Sequence, residues 1–481
     1  MGSAAAAEGR KPRFGRRESL RLVLPLLGAG TVLFACGGAP PAGPPNLVLI
    51  TLDTTRADRL GCYGGPDDVS PHLDAFARSA TVYENAYATS SWTLPSHASL
   101  FTGLFPSQHG AQSLPGAERH GLGYGVRPLA PEFETLAERL REAGYRTAAV
   151  VAGPALRAEL GVAQGFEIYH DELDTPGRRF HGKRASEVMD QVEAVLAQIG
   201  GEPFFLFVNF FDPHAPYQPP GYRSAEAPPP KDLVPRLLDL LREGRPPVPA
   251  SALPDDIRSA LAASLHAYDA EIRYMDEHLG RLLARLDDLG GDRGTAIVIT
   301  SDHGESFGEH YFVSHGAHLY EDNTRVPLVV RKPGQRRGRR VETPVQNHRA
   351  TATLLTLAGL DPLPGSVPPL GQPKTRIITE VHRSELNVAL FGEVLDRDLV
   401  AIYDPPFKAI FSTRRTAELF DLDSDPEELH DLAEARAERL ETLADQLERW
   451  RKDHPLLSTA DEPAELRPET EEALRALGYL E

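Results

Sequence analysis

Residues 46–53 read NLVLITLD, a run of six apolar or β-branched residues, Leu47 to Leu52, closed by an acid. An unbroken run of that length predicts a strand buried on both faces, with Asp53 at its carboxyl end. Four more runs repeat the pattern: YRTAAVVA (145–152), PFFLFVNF (203–210), TAIVITSD (295–302) and VPLVVR (326–331). Helical segments lie between them. SPHLDAFARSA (70–80) opens on a Ser cap and a Pro, TLAERLREAG (135–144) stops on Gly, and ASLHAYDAEIRYMDEHLGRLLARLDDLG (263–290) is long, amphipathic and also ends on Gly. Strands alternating with helices predict an α/β fold with a largely parallel central sheet flanked by helices. Active sites of such sheets lie beyond the carboxyl ends of the strands. Two predicted strands end there in acids, Asp53 and Asp302.

After about residue 375 the alternation gives way to short strand-like pieces, FKAIFS (407–412) and AELFDL (417–422), and a charged helix, EELHDLAEARAERLETLADQLERWRK (427–452). The expected organisation is a catalytic domain over 46–375, with 218–255 as a surface insertion, and a smaller C-terminal α+β subdomain over 376–481. The basic stretch KPGQRRGRR (332–340) reads as a solvated turn, or as a steering patch for anions.

The chain has 481 residues and a formal net charge of −18, which argues against nucleic acid as a partner. A small anionic substrate held by a local cation is compatible with it. The amino terminus differs from the rest. RKPRFGRRESLR is basic, LVLPLLGAGTVLFAC is a short apolar segment, and GGAPPAGPPN is a small, Pro-rich spacer. This order predicts an export signal over 1–36 and a linker over 37–45. Leu33-Phe34-Ala35-Cys36 resembles a bacterial lipoprotein cleavage box, which implies a lipidated Cys36, membrane association and an envelope or periplasmic location; the alternative is a plain signal anchor. Arg16-Arg17 before Ser19-Leu20-Arg21 loosely resembles a twin-arginine signal. Cys62 is the one other cysteine, so no disulfide framework exists; it is expected to be a small buried residue.

SSWTLPSHASLFTG (90–103) places Pro95 in the first turn of a helix that stops at Gly103. Thr93 then sits at the helix start, where free N–H groups and the positive end of the dipole stabilise an anion. A cap is the commonest role of such a hydroxyl. Two acids at strand ends and the imidazole of His303, converging on that hydroxyl, would instead cage a divalent cation beside a nucleophile.

The ordered set of motifs resembles the sulfatase family of the alkaline phosphatase superfamily. PNLVLITLDTTRADRLGCYG is similar to that family's opening strand, TLPSHASLFTGLFPSQHG to its nucleophile segment, and NFFDPHAPYQPP to its substrate-histidine loop. SDHGESFGEH and HLYEDNTRVPLVV resemble its second metal strand, and ELFDLDSDPEELHDLA its carboxyl-terminal ending. The resemblance implies one divalent metal on Asp53, Thr93, Asp302 and His303, with Mn²⁺ first and Mg²⁺, Ca²⁺ or Zn²⁺ open. It implies substrate contacts or acid–base roles for His214, His315 and His318, and His97 in the place of the Arg that supports the nucleophile. His310 and His315 read either as part of that cluster or as exposed loop histidines, His318 is the first choice for the place of the family's leaving-group Lys, and a second metal on Asp212, His214 and one of these three histidines is a lesser alternative.

The departures from the family pattern bear on the chemistry. Thr93 stands where Cys or Ser is oxidised to formylglycine, so no formylglycine is expected. Asp53-Thr54 replaces Asp-Asp, and His303 stands where Asn is frequent. No Lys lies in VVAGPALRAELG, where a Gly-Lys-Trp-His-like segment is usual. Asp, Thr, Asp and His resemble instead the set of the branch holding lipoteichoic acid synthases and phosphoglycerol transferases, in which Thr attacks phosphorus. The expected function is therefore hydrolysis or transfer of phosphate esters of a lipid, glycan or small molecule. The alternatives are a sulfate-ester hydrolase without formylglycine, and a silent binding protein on the same fold.

Overall fold

Residues 43–114, 125–173, 182–222, 232–243, 246–291, 293–372, 376–384, 387–388, 392–455 and 466–476 are described by the computed structural model. The export signal and Cys36 lie outside them. No helix among the described residues is long and apolar enough to cross a membrane.

The strand quoted first, β1 (Asn46–Leu52), runs through the middle of an eight-stranded sheet. In chain order its companions are β2 (Thr81–Tyr83), β3 (Arg146–Val150), β4 (Ile168–His170), β5 (Phe204–Phe210), β6 (Thr295–Thr300), β7 (Leu328–Arg331) and β8 (Arg339–Val341). The spatial order is β8-β2-β7-β6-β1-β5-β3-β4. Only β7 runs against its neighbours, β2 and β6; the other pairs are parallel.

The side-chain period of two, with both faces of the sheet covered, explains why the central strands are apolar along most of their length. Leu47, Leu49, Phe205, Phe207, Ala296 and Val298 face one layer, with α2 (Thr93–Thr102), α3 (Leu136–Glu142) and α7 (Arg349–Leu357). Val48, Ile50, Leu206, Val208, Ile297 and Ile299 face the other, with α1 (Pro71–Ala77), α4 (Ala185–Ile199) and α6 (Asp255–Gly290). Phe101 of α2 meets Phe207 edge-on with ring centroids 4.9 Å apart, a contact of the kind whose loss costs about 3–5 kcal/mol on truncation to Ala. All ten residues of α2 are buried, and Gly103, at φ 72°, ends it in the left-handed region that glycine tolerates.

Within 218–255 the chain is not simply a surface loop. It carries α5 (Leu233–Arg242), whose Leu233 and Leu237 form a small core with Leu253, Ile257, Leu261 and Tyr311. The long helix begins at Asp255, eight residues before its apolar stripe was legible.

The C-terminal part is an antiparallel sheet of β9 (Ile377–Val381), β10 (Leu399–Asp404), β11 (Phe407–Ser412) and β12 (Glu418–Asp421), followed by α8 (Ala437–Asp453) and α9 (Pro468–Ala476). It shares apolar cores with Phe105 and Tyr87 of the first part, and residues 41–481 form one unit. The helix expected from 427 starts ten residues later. Asp425 accepts the N–H groups of Leu429 and His430, Asp431 accepts those of Leu419 and Ala433, and Glu428 turns left-handed (φ 54°) to reach buried Lys408. These side chains give the backbone a non-helical alternative. Cys62 is half-buried, not buried, and its thiol is pushed up to about 12 by burial and by Asp74. The 332–340 stretch leads into β8 at the sheet edge, with Arg336, Arg337 and Arg340 exposed.

Candidate active site

The alternation that buries Leu47 and Leu49 against α2 puts Thr51 and Asp53 on the same face, with Asp53 one residue beyond β1. The same rule puts Asn209 behind Phe205 and Phe207, opposite Thr51 in register. Asp302 and His303 follow β6, behind Ala296 and Val298. The carboxyl ends of three adjacent strands therefore aim polar side chains under the start of α2, whose first residue is Thr93. Asp53, Thr93, Asp302 and His303 are all fully buried.

The tautomers follow from the hydrogen bonds. His303 Nδ1–H donates to the Gly304 carbonyl at 2.9 Å, leaving the Nε2 lone pair facing Thr93 Oγ1 at 3.1 Å. The Thr93 hydroxyl is thus the donor to His303. His97 lies beneath it. Its Nδ1–H donates to the Thr93 carbonyl at 2.9 Å, and its Nε2 accepts from Thr51 Oγ1 at 3.0 Å. Asn209 Nδ2 donates to Thr51 Oγ1 (3.2 Å) and to Asp53 Oδ2 (3.3 Å). Asn209 is itself held by the N–H groups of Ala152 and Gly153, so the segment around Gly153 supplies orientation where a Lys would have stood. Ser96 Oγ donates to the Asp302 carbonyl at 2.7 Å and ties α2 to β6.

Asp302 Oδ1 accepts the N–H groups of Thr54 and His303. Its Oδ2 and Asp53 Oδ1 are buried with no hydrogen-bond partner, although unpaired buried oxygens are costly. Burial and the Asp302 charge push the Asp53 carboxyl well above its usual range. Burial opposes the charge on Asp302 too, but His303 and His97 hold it below its usual value. Ligand atoms of Asp53, Asp302 and His303 lie within 4.8 Å of one another, and this is the one such cluster among the described residues. Two orphaned carboxylate oxygens, and the His303 Nε2 lone pair that a cation would take over from the Thr93 hydroxyl, fit a hard or borderline divalent cation. Among the described residues a second cation finds no matching cluster: Asp212 accepts the Ala185 N–H and faces Arg184, which bonds Glu271.

His315 packs over His303 with ring centroids 4.4 Å apart and over His214 at 5.0 Å. His315 Nδ1–H donates to Glu305 Oε1 at 3.2 Å. Burial pushes His315 to about 4 and, with His315 as neighbour, His214 to about 3. Burial pushes Glu305 up to about 7. His214 Nδ1–H is committed to the Ala215 carbonyl at 2.7 Å. Burial thus favours the neutral ring of His214 over the imidazolium.

His318 and His310 lie elsewhere. His318 Nδ1 accepts the Tyr320 N–H and its Nε2 bonds Ser306 Oγ at 2.8 Å. His310 stacks on Tyr320 and bonds the Glu427 carbonyl. Both rings are buried, and among the described residues no hydrogen bond joins either of them to Thr93, Asp53 or Asp302. His97 touches the Thr93 backbone, not its hydroxyl. Glu305, Asn209 and Thr51 were not singled out in the sequence. The signal for Asn209 was a lone amide inside an otherwise apolar strand, FFLFVNF.

A model of the sulfatase family matches residues 45–360. The sulfatase YidJ of Escherichia coli is 25% identical over 453 residues, spanning 85% of this chain and 88% of that one. The choline-sulfatase of Rhizobium meliloti is 28% identical over 82% of this chain and 83% of its own. The crystal structure of the phosphonate monoester hydrolase of Agrobacterium radiobacter matches in fold, with a TM-score of 0.66 at 23% identity over 88% of this chain and 100% of that chain.

Proposed function

Because the chain belongs to the sulfatase family of the alkaline phosphatase superfamily, we propose that it is an exported hydrolase of phosphate esters whose nucleophile is Thr93. The observation that carries the reading is the Thr93 hydroxyl donating to His303 Nε2 at 3.1 Å in the first turn of a buried helix. Members of the family use a divalent metal. Asp53, Asp302 and His303 would hold it here, where it supplies positive charge to polarise the ester and lower the hydroxyl's pKa.

The chain's own residues do the rest. His97, fixed through Thr51 and Asn209, holds the Thr93 backbone. The Thr93 and Leu94 N–H groups at the helix start meet the charge developing on phosphorus-bound oxygen. Thr93 Oγ bonds phosphorus as the bond from phosphorus to the ester oxygen breaks, and the hydroxyl's proton passes to the departing oxygen; water then cleaves the phosphothreonine, releasing phosphate from a monoester or a monoester from a diester. His315 and His214 line the substrate side. Lipidation at Cys36 would hold the enzyme at the envelope, and Cys36→Ser should then leave the membrane fraction.

Rapid quench of turnover followed by peptide mass spectrometry tests the nucleophile. A phosphoryl group on Thr93, activity lost by several orders of magnitude in Thr93→Ala, and activity partly kept in Thr93→Ser are expected. Wild-type turnover in Thr93→Ala leaves Thr93 a helix cap and refutes the mechanism. A second reading, sulfate esters with the same nucleophile, is favoured by the sulfatase names of the curated relatives; a parallel panel of sulfates and phosphate diesters separates the two.

A further inference from the structure

Residues 331–340 read RKPGQRRGRR, with six Lys or Arg and no acid, in a chain of net charge −18. They join β7 to β8 by a hairpin. Gln335 holds its shape: the side chain accepts the Lys332 N–H and donates to Thr81 Oγ1 and to the Arg337 carbonyl. Two of the six cations are neutralised, Arg331 by Asp287 and Arg340 by Glu84. Lys332, Arg336, Arg337 and Arg339 are exposed and have no ion pair among the described residues. A Cβ on Gly338 would come 2.8 Å from the Arg78 carbonyl oxygen, so exposed Arg78 adds a fifth cation to the same surface.

Strand register fixes which end of the sheet this is. β7 runs against β6 and pairs Arg331 with Ile297, which pairs with Val48 near the start of β1. The hairpin therefore continues past the amino end of β1. The contact is direct: a Cβ on Gly294 would meet Pro333 at 3.0 Å, and the Gly294 carbonyl accepts the Asn46 N–H at 3.0 Å. The hairpin thus borders the point where the chain enters the sheet. β1 has seven residues, so about 23 Å of extended strand separates that point from the acids at its other end. Exposed charges act over about 8 Å at physiological ionic strength. These cations are too far away to steer an anionic substrate into the site.

We propose that this amino-end face, led by the hairpin, rests on the surface of an anionic phospholipid bilayer and so turns the site away from that bilayer. Two observations favour a bilayer over a nucleic acid. A bilayer meets one face only, whereas a long polyanion would also meet the remaining surface of a chain with net charge −18. The residues before Asn46 include the basic, apolar and Cys order read as an export signal, and the hairpin lies beside their junction with the sheet. The hairpin's charges are present whatever Cys36 carries. Each Lys or Arg near an anionic bilayer strengthens binding by about fivefold, so five cations bind modestly alone and fix the orientation of a tethered chain.

The chain from residue 41 holds every described element and apolar core and forms one unit, so it tests the hairpin without the apolar segment. It is sedimented with vesicles of phosphatidylcholine alone, or mixed about three to one with phosphatidylglycerol. Partition onto the anionic vesicles should exceed that onto the neutral ones by about a hundredfold at low salt, and the difference should collapse at about 0.5 M NaCl. The variant with Lys332→Glu, Arg336→Glu, Arg337→Glu and Arg339→Glu should bind both vesicles equally, with its melting temperature and its turnover of a soluble ester unchanged. Hydrogen exchange of the full-length protein bound to each vesicle should slow over 332–340 on the anionic one only, and stay the same in the 308–317 loop at the site end. Equal partition of the wild type, or an anionic preference that survives the variant, overturns the proposal. Protection of 308–317 in place of 332–340 overturns the orientation. Tighter binding of a DNA duplex than of anionic vesicles overturns the lipid assignment. The Thr93 reading stands or falls separately, and so does lipidation of Cys36, which the shorter chain lacks.

Discussion

His97 Nδ1–H donates to the Thr93 carbonyl oxygen, 2.9 Å away and one helical turn earlier. Through Nε2 the same ring accepts from Thr51, which accepts in turn from Asn209, whose other amide hydrogen bond goes to Asp53. One chain of side chains thus connects the backbone of the proposed nucleophile to a proposed metal ligand. Every member is fully buried, so a change at one end cannot be absorbed by water.

His97→Ala should therefore lower kcat by about 10- to 100-fold through misplacement of Thr93, with KM little changed. Loss of its hydrogen bonds in a dry site should cost about 1–3 kcal/mol of stability. Thr51→Val should act in the same direction and more weakly. Thermal melts and steady-state kinetics on both single variants and the double variant check this. A shared network requires that the effects be less than additive, and strict additivity would show the two residues to be independent.

Removing the cation should destabilise the protein. Asp53 Oδ1 and Asp302 Oδ2 are buried without partners, and an ion between them is bound by the folded state only. At a free concentration a hundredfold above Kd, it contributes about 2.7 kcal/mol. Chelation should lower the melting temperature of the wild type, and Mn²⁺ should restore it. In Asp302→Ala neither treatment should move the melt, and elemental analysis should find no stoichiometric metal. Full occupancy in that variant would falsify the ligand assignment.

Acid should loosen the carboxyl-terminal helix before it unfolds the sheet. Glu159 is bridged by Arg467 at 2.7 Å and also bonds Thr470, the two residues at the start of α9. Partial burial alone would raise its pKa, but Arg467 and Thr470 bring it from 4.5 down to about 2. A depressed carboxylate stabilises the folded form above its unfolded pKa. That contribution is complete above about pH 4.5 and is lost as pH falls toward 2. Hydrogen exchange between pH 6 and pH 3 should show α9 opening ahead of β1, corrected for intrinsic rates. Arg467→Ala should open α9 at neutral pH. Equal protection of α9 in that variant would show that the clamp contributes nothing.

The central strands were readable because burial on both faces demands unbroken apolar runs, and five of them are where those runs lie. Asp53, Asp302 and His303 were readable for the same reason: an acid or imidazole that interrupts such a run falls at the strand end. The errors have local physical causes. The helix expected from 427 was delayed because Asp425, Asp431 and Glu428 bond backbone and Lys408 instead. The ring nitrogens of His318, beside LYE, meet the Tyr320 N–H and the Ser306 hydroxyl, partners that its place in the sequence does not reveal.

The amino-acid sequence by itself determined the α/β layering, the α2 start at Thr93 and the identity of the acids, since these depend on periodicity and local capping. Only the tertiary structure decided which histidines share a site, which tautomer each adopts, and that the hairpin after β7 lies beside Asn46, at the far end of the sheet from Thr93. Those are contacts between residues up to about 300 positions apart in sequence, and hydrophobic periodicity carries no information on which distant side chain completes a hydrogen bond.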